Sequence, residues 1–97
     1  IDVYKDIDIF VPTAFTPNSD YKNDFLKPIP RGIKQLNYFK IYNRYGNVVF
    51  SSTNFTNGWD GKFNGELQNT GSFIWISEGI DIKGNIIFRK GIFTLLR

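Results

Sequence analysis

The side chains of this chain that could do chemistry are oxygen donors, cations and aromatic rings. Neither Cys nor His occurs among the 97 residues. Thiolate nucleophiles, zinc knuckles and Ser-His or Cys-His pairs are therefore excluded, and so is the commonest general base. Carboxylates remain. A pair of them could hydrolyse a glycosidic bond, but Glu66 and Glu78 are the only glutamates. No Asp or Glu pair falls at strand ends in a catalytic pattern, so the chain reads as a non-enzyme.

The densest set of oxygen donors is loop 18–24, with Asn18, Asp20, Asn23 and Asp24. Hard cations such as calcium take such ligands. The EF-hand spacing fails, however. Lys22 stands where a third ligand belongs, Asn23 replaces the sharp-turn Gly, and Ile29 replaces the bidentate Glu. Two readings follow: a weak calcium site, or an Asx-turn network that stiffens the loop. In the second, the rigid loop is itself a recognition surface. No other cofactor is expected.

The net charge is +3. Its cations are scattered, and the densest pair, Arg89 and Lys90, is broken at once by Gly91. Nucleic-acid binding needs a stripe that neutralises several phosphates together, so no nucleic acid is expected as a partner. No apolar run is long enough to cross a bilayer. Met is absent and the chain begins at Ile1. The expectation is a fragment of a longer protein, with any signal peptide upstream.

Rings are the unusual feature, at 18% of residues with ten Phe, five Tyr and two Trp. Two sit in turn-like sequence. Asn43-Arg44-Tyr45-Gly46 carries a five-donor cation and an amphipathic ring at a hairpin tip, and such residues are common interface anchors. Gly58-Trp59-Asp60-Gly61 is a tight turn holding an indole, which either plugs one end of a core or meets a partner. Asp60 is expected to cap that turn.

The elements that must position these residues are strands. Phe, Tyr, Trp, Ile and Val suit a pleated surface, and Ala occurs only at Ala14. Residues 1–11 alternate, with Val3, Ile7, Ile9 and Val11 on one face. Residues 13–24 read as a polar loop, and 25–30 as extended at best, because two prolines remove ladder donors. Residues 36–42 form the clearest strand, followed by the Asn43–Gly46 hairpin turn and a strand at 47–50. Residues 62–64 suggest a short strand and 65–71 a loop. Residues 72–78 look like a core strand covered on both faces. A turn at 83–85 leads into a last strand from Ile86, with a bulge or kink expected at Gly91. No helical period is sustained. The reading is a single domain over 1–97, an all-β, Ig-like antiparallel β-sandwich of about seven short strands.

Four segments in order carry a family resemblance. They are Ala14-Phe15-Thr16-Pro17-Asn18-Ser19-Asp20-Tyr21-Lys22-Asn23-Asp24, then Phe39-Lys40-Ile41-Tyr42-Asn43-Arg44-Tyr45-Gly46, then Gly58-Trp59-Asp60-Gly61, and finally Gly71-Ser72-Phe73-Ile74-Trp75 with Lys90-Gly91-Ile92-Phe93-Thr94-Leu95-Leu96-Arg97. Together they resemble the gliding-motility-associated C-terminal domain of Bacteroidetes proteins, the type B sorting domain of type IX secretion. Ser19 and Tyr21 stand where the family usually has Gly, and Tyr45 where it usually has Trp.

The resemblance implies a C-terminal secretion signal that targets its parent protein to the type IX translocon. The parent would pass through the periplasm and outer membrane to the cell surface, or be secreted, as gliding adhesins are. Implied partners are translocon components and an outer-membrane barrel of the PorP/SprF type. Implied contact residues are Asn43, Arg44, Tyr45, Gly46, Trp59, Leu95, Leu96 and Arg97. A terminal edge strand offers free backbone groups to a partner sheet, and a carboxylate beside Arg97 would add to what is read there. The competing reading is a carbohydrate-binding or adhesive β-sandwich, with Tyr42, Tyr45, Trp59 and Trp75 stacking on sugars.

Overall fold

A computed structural model describes residues 7–16 and 25–96. Among these residues every regular element is a strand: β1 (Asp8–Phe10), β2 (Ala14–Phe15), β3 (Ile29–Arg31), β4 (Ile33–Tyr42), β5 (Val48–Ser52), β6 (Lys62–Phe63), β7 (Glu66–Leu67), β8 (Gly71–Asp81) and β9 (Ile86–Leu95). The long strands build a five-stranded sheet in the order β2-β9-β8-β4-β5, and the two-stranded pieces β1-β3 and β6-β7 accompany it. The class is the expected all-β sandwich. One pair departs from the antiparallel expectation: β2 runs parallel to β9, with Ala14 opposite Thr94 and Phe15 opposite Leu95.

Alternation decides which face is covered. On β8 the odd positions Phe73, Trp75, Ser77 and Asp81 are buried, and on β9 Phe93 and Leu95. Phe39 and Ile41 on β4 join the same face, while Tyr38, Lys40 and Tyr42 point the other way, as period-two alternation requires. Among the described residues the second layer over this face is made of short pieces. It delivers Ile9 and Val11 from the β1 region, and Leu26 and Trp59 from two loops, all buried. Leu26 and Trp59 are tied by paired backbone bonds: Leu26 N–H donates to the Trp59 carbonyl at 2.8 Å and Trp59 N–H to the Leu26 carbonyl at 2.9 Å.

Several expectations are revised. The β8 strand is covered on one face only: Ile74 is 46% exposed and its β9 neighbour Ile92 is 64% exposed. The proline-rich stretch does reach a strand, because Pro30 pairs with Ile9 in a two-stranded ladder whose outer edges need no donor from it. The polar loop contains β2 at its start. Gly91 makes neither bulge nor kink, since the β8-β9 register is unbroken from Gly71 opposite Leu95 to Ile80 opposite Ile86. Gly91 is required for space instead: a Cβ there would lie 2.8 Å from Trp75 Nε1. Register shifts fall on β4 instead: between Ile33 and Gln35 and between Leu36 and Tyr38 against β8, and between Ile41 and Tyr42 against β5, where Val49 has no partner.

Two hairpin turns share one chemistry. In Asn43–Asn47, Asn43 Oδ1 accepts from the amides of Tyr45 at 2.9 Å and Asn47 at 3.0 Å. In Asp81–Asn85, Asp81 Oδ1 accepts from Lys83 at 2.9 Å and Asn85 at 2.7 Å. In both, the fourth residue is Gly with positive φ, 84° at Gly46 and 88° at Gly84. Its amide returns to the first residue's carbonyl at 3.0 Å. This is a type I turn closed by a left-handed Gly. The sequence Asx-x-x-Gly-Asn therefore sets both turns, one at each end of the sheet.

Candidate recognition site

Among the described residues, the register brings parts of the four sequence segments, residues 14–16 of the first, to one end of the sheet. Tyr42, just before the Asn43 turn, lies opposite Ile74 near the start of β8. Gly71, the first residue of β8, lies opposite Leu95, and β2 pairs with that same end of β9. Trp59 closes the core at this end. Its indole lies 5.1 Å from Phe73, 6.0 Å from Phe93 and 6.0 Å from Phe15, ring centre to ring centre, and Phe73 stacks on Phe93 at 5.6 Å. Each segment thus contributes an aromatic or a turn to one cluster.

Trp59 is held by its own turn. Its Nε1–H donates to the Lys62 carbonyl at 2.8 Å, and Asp60 Oδ1 accepts from the Lys62 amide at 3.0 Å, the expected cap. The indole is 1% exposed, so it plugs the core and presents no surface to a partner. Leu95 is 0% exposed and is likewise interior. Two of the anticipated contact residues therefore support the site from beneath, because alternation along β9 turns Leu95 inward and the Leu26 bridge draws Trp59 over Phe73.

The surface of this end is made by the Asn43 turn. Tyr45 is 73% exposed. The Arg44 guanidinium lies 5.0 Å from the Tyr45 ring centre and donates to its hydroxyl at 2.8 Å. The pair forms one flat, cationic and aromatic projection. Beside it lies a cleft of about 550 Å³ between the turn and residues 68–73, with Gln68, Asn69, Thr70 and Ser72 on its far wall. That wall was not anticipated. Residues 68–70 carry only turn chemistry as a sequence, and they meet Arg44 because β8 pairs with β4. Leu96 is 42% exposed at the same end. Arg97 and the loop residues Asn18, Asp20, Asn23 and Asp24 lie outside the described residues.

The sugar-stacking row is not formed. Trp75 is 7% exposed beneath the sheet and Trp59 is 1% exposed, so only Tyr42 and Tyr45 of the four rings reach solvent.

Burial and hydrogen bonding perturb two groups at the sheet. The Asp81 carboxyl is held below its ordinary value, chiefly by the Asn85 amide, with burial opposing and the Lys83 amide adding to the lowering. The Tyr38 phenol is pushed up by desolvation and then by the charge of Glu78. Glu78 accepts from Asn37 Nδ2 at 3.0 Å on the open face. Neither group lies at the motif-bearing end.

The described chain is thus an all-β module in which the described parts of the sequence signatures meet at one exposed end over a plugged core. The chain matches the CHU_C type IX secretion signal domain over residues 9–95, and it belongs to that family. A comparison with curated proteins gives no match. Membership makes the chain a sorting signal of type IX secretion, recognised by that secretion system, whose parent is exported to the cell surface or secreted. Among the described residues no helix is long and apolar enough to cross a membrane.

Proposed function

We propose that residues 1–97 act as a single C-terminal sorting domain of a longer secreted or surface protein. Its parent reaches the periplasm by an ordinary signal peptide. The domain is then read at the outer membrane by the type IX translocon together with a PorP/SprF-type barrel. The domain performs no catalysis and needs no bound metal for this role. The observation that carries the reading is the convergence of the described parts of the motif segments on one end, where Arg44 and Tyr45 project beside the cleft. The contact surface is Asn43, Arg44, Tyr45, Gly46 and Leu96, with Arg97 following. Trp59 and Leu95 hold that surface in shape.

The test is export of a fluorescent reporter carrying residues 1–97 behind a signal peptide, in a type IX-competent bacterium and in a translocon-deficient strain. The reporter should reach the surface or medium of the first strain only. Replacing both Arg44 and Tyr45 by Ala should lower export about tenfold, as for loss of interface anchors. Thermal stability should hold, because Asn43 and Gly46 keep the turn. Full export of that double variant would remove the contact surface from the proposal. A periplasmic reporter in both strains would remove the sorting role.

A further inference from the structure

We propose that the free edge of β9, from Phe88 to Ile92, is a strand-addition site that takes an extended apolar segment of a partner protein with an acidic residue facing Lys90. The inference rests on the sorting role and adds a second surface to it, on the sheet edge away from the Arg44 turn.

The geometry is that of a long strand with a short neighbour. β9 pairs with β8 along its whole length, but among the described residues its other side is covered only at Thr94 and Leu95, by the two residues of β2. The direction of the uncovered groups follows from the ladder. Thr94 N–H donates to the Thr13 carbonyl at 2.9 Å and Leu96 N–H to the Phe15 carbonyl at 2.8 Å, so even-numbered amides point away from β8. The amides of Phe88, Lys90 and Ile92 therefore face outward, and no described strand meets them. One outward acceptor is occupied: the Arg89 guanidinium, itself 2.7 Å from Asp8, donates to the Phe88 carbonyl at 2.9 Å. The free run is thus centred on Lys90.

Side chains add selectivity to the backbone. The residues that present outward amides also present their side chains to the open face of the sheet. Phe88 is 46% exposed and Ile92 64% exposed, with Ile74 at 46% beside Ile92. An open edge of this kind is one that proteins usually blunt; of the two charges within it, Arg89 is held by Asp8 and the Phe88 carbonyl, and Lys90 stands on the open face. An added strand would place alternate apolar residues against Phe88 and Ile92. The residue between them would face Lys90, and an acid there matches its charge. Charge around the site agrees: Lys40 lies on the same face through its β8 partner Ile76, and the one carboxylate there, Glu78, is engaged by Asn37.

The experiment uses the same reporter with single substitutions. Lys90→Pro removes the outward amide and leaves the bonds to β8, which run through Arg89 and Gly91, so an edge Pro is tolerated. Lys90→Ala keeps the amide and removes the charge. Lys90→Pro should lower export at least about tenfold while the purified domain melts within a few degrees of the parent chain. Lys90→Ala should lower it only about two- to threefold, the scale of a single exposed charge pair. If the Pro variant fails to fold, the pair Phe88→Lys and Ile92→Lys decides, with the same loss of export expected from an intact fold. Normal export of a folded Lys90→Pro or of the double Lys variant would overturn the proposal. So would a dimer of the purified chain that Lys90→Pro abolishes without changing export, since the edge would then serve a second copy. Failure of the unsubstituted reporter to leave the periplasm would overturn the sorting role itself, and this inference with it.

Discussion

Substituting Gly91 by Ala tests how the central strands fit together. A Cβ at this position would stand 2.8 Å from Trp75 Nε1 and 3.0 Å from both Cε2 and Cζ2. Ordinary carbon contacts are about 3.5–4.0 Å, so the indole must withdraw by roughly 0.5–1 Å. It has little room to do so, being 7% exposed and packed against Phe39 at 6.2 Å between ring centres. Overpacking of this kind costs about 1–3 kcal/mol. Replacing Gly in a strand returns about 0.5–1 kcal/mol by narrowing the unfolded ensemble. The expected net loss is about 1–2 kcal/mol. At this chain length each kcal/mol lowers Tm by about 4–8 °C, so the fall should be about 5–15 °C. Urea unfolding followed by the fluorescence of Trp59 and Trp75 should show a lower midpoint with an unchanged slope. In a Trp75→Phe background the smaller ring leaves space, and the same Ala should cost no more than about 0.5 kcal/mol, a coupling of about 1 kcal/mol. A Gly91→Ala domain as stable as the parent would refute the steric argument. So would equal costs in both backgrounds, which would return Gly91 to the role of a bend.

Substitutions at two further positions probe the site and its opposite end. Trp59→Ala should cost about 3–5 kcal/mol by opening the aromatic cluster, a large part of the roughly 5–15 kcal/mol that holds a domain together. Trp59→Phe should cost less but still about 1–2 kcal/mol, because the Lys62 carbonyl loses its indole donor; a neutral Trp59→Ala in urea unfolding would mean that the plug is not needed. Asp81 supplies the pH dependence. Its folded-state carboxyl lies below the ordinary value of 3.8, so its contribution is complete above that pH and is lost as pH falls through the lower folded value. Asp81→Asn should therefore flatten the acid limb of the stability curve. At neutral pH it should cost little, because Asn43 already does the same work in the other turn. An unchanged acid limb in thermal melts from pH 7 to about pH 2 would contradict this.

Much of the local structure was legible from residue order alone. Period-two alternation placed Phe39 and Ile41 on one face of β4 and Tyr38, Lys40 and Tyr42 on the other. Turn residues marked both hairpins, Asn43–Gly46 in place and the second at 83–85, inside the Asp81–Asn85 turn whose Asp81 acceptor the structure shows. The four segments in order were enough to indicate the family, and the match over residues 9–95 agrees. Less legible was the fate of particular side chains within those segments. Trp59 and Leu95 belong to the motifs and are buried, whereas Arg44 and Tyr45 belong to them and project. Gly91 has the look of a bend and is a seat for an indole.

The sequence by itself determined the long strands, the turns between them and the class of the domain, since each depends on residues a few positions apart; the two- and three-residue strands β2, β3 and β7 it did not. Tertiary structure alone decided which face of the five-stranded sheet is covered, that residues 68–70 stand across a cleft from Arg44, and that among the described residues the outer side of β9 is paired only at Thr94 and Leu95. The physical reason is register. Residue 71 meets 95 and residue 42 meets 74 only once distant strands have paired. No property of a short stretch records which partner its backbone will find, or whether it will find one.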